Sequence, residues 1–371
     1  MSRMSQRLSS AVRQSAQRLS SLRSNKEKDE IRQRPALLEH GILLDEKIGV
    51  GGQGEVFKGH FQKDEKYVAI KIITKASCKD KASIEAVKLE ISLLKDLDHP
   101  NIVQFFLLAQ DEYNWYVVTE LLNGGDLYDR IQKGAFSDMQ LIKFAEYTFS
   151  ILKYLHANGI AHRDLKLENF MLHKDPTTGL ETIKLIDFGL AYRKKEGKKY
   201  VHDDHPGTLS YQSPEIVKQQ AYMPEKVDVW CAGVMLYSAI EKAFPFYGGT
   251  EKEIEHSICT AKPQFICSGW KSVGQEFEDI IKACLDKDQK KRPTAAQALK
   301  KVVAISERKV ILSPRHNPRN VNLTEKDTKI HRIGRSISSK IIPKNAIKGI
   351  GSKKNLSHAS DAAAPASSST A

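Results

Sequence analysis

The segment "HRDLKLENF" at residues 162–170 concentrates side chains that could carry out chemistry. It places a carboxylate at Asp164, an amine at Lys166 and an amide at Asn169. A carboxylate can accept the proton of a hydroxyl group, an ammonium group can hold a phosphate, and an amide oxygen can bind a hard cation. This set suits phosphoryl transfer, although a polar turn between a helix and a strand would give the same string.

Three further residues could assist the same chemistry. Asp187 follows the apolar run "IKLI" and could bind Mg²⁺, although an Asp-x-Gly turn is the structural alternative. Upstream, Lys71 lies in the strand-like run "YVAIKII", and Glu90 lies between apolar residues of a helical pattern. A buried carboxylate without a partner is costly, so the sequence predicts an ion pair between Lys71 and Glu90.

A glycine-rich string, "IGVGGQGEV", places Gly49, Gly51 and Gly54 in a GxGxxGxV frame. Glycines allow the backbone to approach phosphates closely, but a glycine-rich hairpin turn gives the same string. Dinucleotide binding would require a helix directly afterwards. Here "EVFKGHF" continues as a strand, which argues against it.

The elements that must position these residues fall into two groups. Short β runs with one helix, "KASIEAVKLEISLLKDLD", occupy residues 42–118, and this helix is expected to stop at His99-Pro100. Helical patterns follow, the longest being "LIKFAEYTFSILKYLHANG", closed by Gly159. The sequence therefore predicts a strand-rich lobe and a helical lobe joined near residues 120–125.

Composition and charge exclude several classes of protein. The chain has 371 residues and a net charge of +13, of which residues 1–35 carry +6, residues 305–371 carry +9, and residues 36–304 carry −2. A near-neutral core argues against a specific nucleic-acid partner. No window has the roughly 18 apolar residues of a membrane span. The five cysteines form no CxxC motif, so structural zinc and a disulfide framework are not expected.

The ordered set of glycine-rich loop, VAIK lysine, helix glutamate, HRD, DFG and "SPE" resembles the eukaryotic protein kinases. The strings "DHPNIV", "GGDLYDRI" and "KLIDFGLA" are most similar to Ser/Thr kinases of the calcium/calmodulin-dependent and AMP-activated group. The resemblance implies an α+β fold with two lobes, a small β-rich N-lobe (42–120) and a larger helical C-lobe (125–304). It places ATP in the cleft between the lobes, and it leaves a tail on either side, at 1–35 and 305–371, the latter mostly disordered.

The resemblance also implies roles for individual residues. Asp164 would be the catalytic base, and Lys166 would hold the γ-phosphate. Lys71, paired with Glu90, would hold the α- and β-phosphates. Asn169 and Asp187 would bind Mg²⁺. Thr119 would be the gatekeeper, and Glu120 and Leu122 would lie in the hinge. The residues implied to surround ATP are Ile48, Gly49, Gly51, Gly52, Gly54, Val56, Ala69, Lys71, Thr119, Glu120, Leu122, Asp126 and Met171.

Supporting and specificity roles follow from the same resemblance. A Glu215–Arg292 ion pair would hold the helical lobe, Asp228 would brace the catalytic loop, and Thr208 would contact Asp164 and Lys166. The internal spine would consist of Leu94, Phe105, His162 and Phe188. Asp126 and Glu168 would bind a basic residue of the substrate, and Ser238 occupies the position of a second acid used by some basophilic kinases. Protein substrates with a basic residue before Ser or Thr are therefore expected.

Two alternatives to an active cytoplasmic kinase remain open. A pseudokinase scaffold would bind partners without catalysis. A tail-directed module would bind membranes or organelles, because residues 1–25 resemble a mitochondrial presequence and have no acidic residue. A basic amphipathic pattern in the second tail could bind calmodulin or an acidic membrane surface, and its apolar positions are Ile330, Ile333, Ile337 and Ile341.

Two hypotheses on regulation also follow. Asp204 could give Arg163 an anionic partner without phosphorylation of the loop. Arginines three residues before Ser10, Ser21 and Ser338 suggest autophosphorylation of the tails, which would add negative charge to them.

Overall fold

An antiparallel five-stranded sheet occupies residues 42–120 in a computed structural model. The structure describes residues 34–312, apart from 52–53, 135, 176–177, 196, 198 and 202–205. The strands follow the order β1-β2-β3-β5-β4 across the sheet. Their bounds are β1 (Ile42–Gly51), β2 (Gly54–Phe61), β3 (Tyr67–Thr74), β4 (Phe105–Gln110) and β5 (Asn114–Glu120).

The alternation of side chains along β3 gives the sheet two different faces. Val68 and Ile70 are fully buried on the outer face, where helix α1 (Pro35–Leu38) packs with its buried residue Leu37. Lys71 lies between Ile70 and Ile72, which are both buried in this outer cluster, and it therefore points to the opposite face, toward the cleft. The sequence therefore fixes which side of the sheet can bind a ligand.

Helix α2 (Lys81–Asp96) packs against the inner face of the sheet and confirms the predicted helix. It begins with a capping box, in which the Asp80 carboxylate accepts a hydrogen bond of 2.7 Å from the Ser83 backbone N–H. Its buried face combines Val87, Ile91 and Leu94 with one carboxylate, Glu90. This stripe orients Glu90 toward β3.

From residue 121 onward the described part of the chain is mainly helical. Two small antiparallel sheets accompany the helices: one pairs β6 (Ile160–Ala161) with β9 (Tyr192–Arg193), and the other pairs β7 (Phe170–Lys174) with β8 (Glu181–Leu185). The helices are α3 (Leu127–Gln132), α4 (Asp138–Ala157), α5 (Pro214–Val217), α6 (Pro224–Glu241), α7 (Glu251–Thr260), α8 (Gly269–Val273), α9 (Gln275–Cys284) and α10 (Ala295–Leu312). The predicted two-lobed α+β fold, strand-rich first and helical second, is confirmed.

Helix α6 is the central support of the helical lobe. It is buried on all sides from Val227 to Ile240, which is typical of a core helix rather than of a surface helix. The long helix α4 and helix α9 pack against it. A charged residue on this helix, Asp228, is fully buried and therefore needs partners, which the loop at residues 162–163 provides.

Helix α10 continues to Leu312, so the predicted boundary at residue 304 falls inside a helix. Ile305 and Ser306, just past that boundary, are buried. The predictions on the two tails concern residues 1–33 and 313–371, which lie outside the described residues. Within the described part of the chain, no helix combines the length and the apolar character that crossing a membrane requires.

Candidate active site

The carboxylate of Asp164 is the centre of a compact polar cluster. Its Oδ2 lies 2.7 Å from the Lys166 Nζ, and its Oδ1 accepts hydrogen bonds of 3.3 Å from both the backbone N–H and the hydroxyl of Thr208. The Lys166 Nζ also lies 3.2 Å from the Thr208 hydroxyl. Only 8 % of Asp164 is exposed. The cluster therefore holds a carboxylate, an ammonium group and a hydroxyl at one point of the cleft.

The loop that carries Asp164 is fixed from below by Asp228 on α6. The Asp228 carboxylate accepts hydrogen bonds from the backbone N–H groups of His162 at 2.9 Å and Arg163 at 2.7 Å. These bonds compensate a left-handed backbone at Arg163, where φ is +66°. The predicted bracing contact of Asp228 is present, and it sets the position of the next residue, Asp164.

The predicted ion pair between Lys71 and Glu90 is also present, with 2.7 Å between the Nζ and Oε1. Glu90 is 2 % exposed, and burial raises the pKa of its carboxyl group although the positive charge of Lys71 opposes this. A rise means that the carboxyl takes up a proton at a higher pH than an ordinary glutamate. The pair leaves the Lys71 ammonium on the cleft side of β3, where it can meet an anion.

Asn169 and Asp187 line the same cavity as Asp164 and Lys166, a space of about 320 Å³. The Asn169 amide donates a 2.8 Å hydrogen bond from Nδ2 to the Asp164 carbonyl, which leaves its amide oxygen available. Asp187 accepts one hydrogen bond from the Gly189 N–H at 2.9 Å, and its second oxygen is available. Oxygen donors of this kind fit a hard cation such as Mg²⁺.

Comparison with known proteins agrees with this geometry. A model of the protein kinase domain matches residues 43–303. The chain belongs to the protein kinase family. It is 35 % identical over 259 residues to "Calcium-dependent protein kinase 3" of Plasmodium berghei, a match that covers 70 % of this chain and 45 % of that protein.

Further relatives carry similar names. The chain is 36 % identical over 246 residues to "Calcium/calmodulin-dependent serine/threonine-protein kinase 1" of Oryza sativa subsp. japonica, which covers 65 % of the chain and 40 % of that protein. It is 36 % identical over 245 residues to "Calcium/calmodulin-dependent protein kinase type I" of Schizosaccharomyces pombe, which covers 65 % and 71 %. The kinase domain is thus homologous to Ser/Thr kinases, and the chain spans about half the length of most of these relatives.

Strand pairing brings several of the residues expected around ATP next to one another. In the sheet, Val56 is opposite Lys71 and Ala69 is opposite Thr119. Asp126 forms a backbone bridge with Met171, which brings the start of α3 next to β7. Ile48 is about half exposed at the entrance, and Gly52 lies outside the described residues.

The glycine-rich loop shows a requirement that the sequence did not reveal. A Cβ on Gly54 would lie 2.1 Å from the backbone oxygen of Ile72, whereas a Cβ on Gly49 would meet no atom within 4 Å. Gly54 is therefore required for β2 to pack on β3, independently of any phosphate. The sequence does not show whether Gly54 is needed for strand packing or for contact with phosphates, because either reason requires only a residue without a side chain.

The guanidinium of Arg163 connects the catalytic loop to the segment that follows Asp187. Its Nε donates to the Leu190 carbonyl at 2.9 Å, its Nη1 donates to the Tyr222 hydroxyl at 2.9 Å, and it lies 5.3 Å from the ring centre of Tyr192. Val201 pairs with Tyr222 through two backbone hydrogen bonds. No sequence pattern predicted the contact between Arg163 and Tyr222. The predicted contact of Arg163 with Asp204 falls outside the described residues and stays a prediction.

The helical lobe contains the predicted buried ion pair. The Arg292 guanidinium binds both oxygens of Glu215, with 2.6 Å from Nη1 to Oε1 and 2.7 Å from Nη2 to Oε2. Its Nε donates to the carbonyl of Asp286 at 2.8 Å. Arg292 is fully buried and Glu215 is 4 % exposed. The predicted ring contact of the internal spine is present as well, with 5.3 Å between the ring centres of His162 and Phe188.

A substitution at Ser213 tests the hydrogen bonding of the "SPE" segment. Ser213 is fully buried, and its hydroxyl has no hydrogen-bond partner among the described residues. Ser213→Ala should therefore raise the free energy of unfolding by about 1 kcal/mol, because it removes a buried polar group without breaking a bond. Denaturant unfolding of the full chain measures the change.

Ser137→Ala is the matched control, because the Ser137 hydroxyl caps helix α4 by accepting from the Gln140 N–H. Its loss should lower the free energy of unfolding by about 1 kcal/mol. Equal losses of stability in the two variants would show that the Ser213 hydroxyl has a partner.

Proposed function

We propose that this chain is an ATP-dependent serine/threonine protein kinase, which transfers the γ-phosphate of ATP to hydroxyl groups of protein substrates. The observation that carries the proposal is the cluster in which one carboxylate, Asp164, contacts both Lys166 and Thr208. Transfer from labelled ATP to a peptide library tests it. Phosphate on serine or threonine peptides supports the proposal, and transfer to tyrosine alone, or none, contradicts it.

Each residue of the cluster has a defined task in this reaction. A substrate hydroxyl that replaces the Thr208 hydroxyl at the Asp164 carboxylate donates its proton to that carboxylate as it attacks phosphorus. The Lys166 ammonium is within reach of the same point and neutralises charge on the transferring phosphate. Asn169 and Asp187 would hold Mg²⁺, which neutralises phosphate charge when bound.

The nucleotide would lie between the two lobes. The Lys71 ammonium, oriented by Glu90, faces the phosphates, and the side chains of Val56, Ala69 and Met171 enclose the adenine. The backbone at Glu120 and Leu122 would bond the adenine edge, and Asp126 would bind the ribose. Every residue that the reaction needs is present in the chain, which favours an active enzyme over a scaffold without catalysis.

A preference for basic residues in the substrate rests on two acids. Glu168 lies in the 3₁₀ turn Leu167–Asn169, and helix α3, which Asp126 caps, packs against that turn. The contact between this helix and the turn brings the chain segments that carry the two acids together. We propose that the two acids bind an arginine or lysine that precedes the target residue. The uncharged Ser238 supplies no further acid.

The variant Glu168→Gln tests this preference. The measurement is kcat/KM for two peptides that differ only in having Arg or Ala three residues before the target serine. A charge-assisted hydrogen bond contributes about 1.5–3 kcal/mol, so the wild type should favour the Arg peptide by roughly tenfold or more. Glu168→Gln should remove most of this advantage and leave the Ala peptide unaffected.

Glu307→Gln serves as the control, because Glu307 is an exposed acid on helix α10. It should keep the full preference. An unchanged preference in Glu168→Gln would assign the recognition of basic residues to another part of the chain.

Regulation by calcium or calmodulin is a second proposal. It is supported by the names of the relatives and by the basic apolar pattern around Ile333 and Ile337 in the second tail. Removal of residues 321–371 should then raise the basal activity. Unchanged activity together with no response to calcium and calmodulin in the full chain would contradict the proposal.

A further inference from the structure

A largely buried ion pair joins the two lobes beside the cleft. The Nζ of Lys184 lies 2.5 Å from the Oε1 of Glu120, and only 14 % of each side chain is exposed. Glu120 is the last residue of β5 in the small lobe, and Lys184 belongs to β8 in the helical lobe. An ion pair shielded in this way is screened much less by salt than a surface pair.

The Glu120 carboxylate is also tied to a third segment. Its Oε1 accepts a 2.7 Å hydrogen bond from the Gln104 N–H, and the Glu120 N–H donates to the Gln104 carbonyl at 2.9 Å. The residues before Gln104 pair with β8, since the Val103 N–H donates to the Leu185 carbonyl at 2.9 Å. The end of β5, strand β8 and the segment that precedes β4 therefore meet at the Glu120 carboxylate.

Lys184 occupies a defined place next to the expected nucleotide. It is directly opposite Met171 in the β7–β8 hairpin, and directly opposed residues of an antiparallel pair share one face. Its neighbours Ile183 and Leu185 are buried in the core, which fixes the backbone of β8. Lys184 thus reaches from the hairpin that carries Met171, the residue expected beneath the adenine, to the hinge.

We propose that Lys184 is a positioning residue that fixes the hinge backbone for adenine through Glu120. This inference rests on the proposed function, because it assumes that ATP binds in the cleft. Without the lysine, the Glu120 carboxylate keeps only the Gln104 N–H and turns toward water, and the backbone that should meet adenine moves with it. Lys184 itself touches neither the nucleotide nor the cluster around Asp164.

Nucleotide binding to the Lys184→Met variant of the full chain tests the inference. The dissociation constants of adenosine, ATP and inorganic tripolyphosphate are measured together with kcat at saturating ATP. Adenosine and ATP should both bind about tenfold more weakly, since coupling of this kind is typically 5- to 150-fold. Tripolyphosphate binding should not change, and kcat should stay within about twofold, because the effect lies at the adenine end.

Two further variants make the result specific. Lys184→Arg keeps the charge and should restore adenosine affinity to within about threefold of the wild type. If Lys184 had a purely structural role, its substitution would change the melting temperature and leave adenosine affinity unchanged. Lys143→Met removes the lysine of an exposed pair with Glu146 and should leave all three constants unchanged. If Lys184→Met does not fold, Lys184→Gln replaces it in the same measurements.

The outcomes separate this inference from the proposed function. Weaker binding of adenosine and ATP by the same factor supports the role of Lys184. A loss restricted to ATP and tripolyphosphate, or a lower melting temperature with unchanged adenosine affinity, overturns it while the proposed function stands. A wild-type chain that binds no adenosine and transfers no phosphate overturns both.

Discussion

Asp164→Asn is expected to lower kcat by at least about 100-fold, because the amide cannot accept the proton of the substrate hydroxyl. The amide oxygen can still accept from Thr208, but the amide N–H₂ would face the Lys166 ammonium, which now contacts Oδ2 at 2.7 Å. The variant therefore loses the base and also displaces Lys166. Steady-state transfer from ATP to a serine peptide measures the loss.

The fold should tolerate this change. The Asp228 carboxylate and the Asn169 amide hold the backbone of residues 162–164 through three hydrogen bonds, and Asp164→Asn leaves all three in place. The melting temperature and the affinity for ATP should thus remain close to those of the wild type. Asp279→Asn, an exposed substitution on helix α9, should keep full activity. Near wild-type turnover in Asp164→Asn would show that another group is the base.

The second large effect is expected on stability, from loss of the buried pair between Arg292 and Glu215. Arg292→Met leaves the Glu215 carboxylate buried without its partner, which typically costs about 3–5 kcal/mol. That is a large part of the free energy of unfolding of a globular protein, which is about 5–15 kcal/mol. Denaturant unfolding of the full chain measures the change. If Arg292→Met does not fold, Arg292→Lys should give a smaller loss of the same sign.

The chain provides a matched control for this pair. Arg308 binds both oxygens of Glu276 in the same bidentate manner, but their side chains are 54 % and 62 % exposed. Arg308→Met should change the stability little, because exposed pairs are weak whatever their geometry. The double variant Glu215→Leu with Arg292→Met should regain part of the lost stability, because it removes both buried charges. Equal effects of the two single Arg→Met variants would mean that burial does not decide the strength of the pair.

The sequence predicted those parts of the site that depend on local spacing or on an ordered set of motifs. The Lys71–Glu90 pair could be predicted because a carboxylate within an apolar helical stripe must find a cation when it is buried. The long helix α4, which ends at Ala157 just before Gly159, could be predicted from its period. The Glu215–Arg292 pair needed the resemblance to a family, since the two residues are far apart in the chain.

Other contacts could not be predicted because they depend on how the lobes come together. Lys184 and Glu120 have ordinary sequence surroundings, and the strand pairing alone brings the lysine to the hinge. The Tyr222 hydroxyl meets Arg163 for a similar reason, since the bridge between Val201 and Tyr222 sets its place. In both cases the tertiary structure determines the partner, so a pattern of residue types within one stretch of the chain cannot predict the contact.

Helix α1 has a consequence for where a folded fragment of this protein can begin. The family match starts at residue 43, yet Leu37 is completely buried and packs on the outer face of the sheet beside Ile42 and Tyr116. A chain that begins at residue 43 would lack Leu37 and expose the side chains that it covers. The loss of this one buried leucine would lower the free energy of unfolding by roughly 1.5–3 kcal/mol. The exposed patch would favour self-association, so the autonomous folding unit is longer than the segment defined by homology.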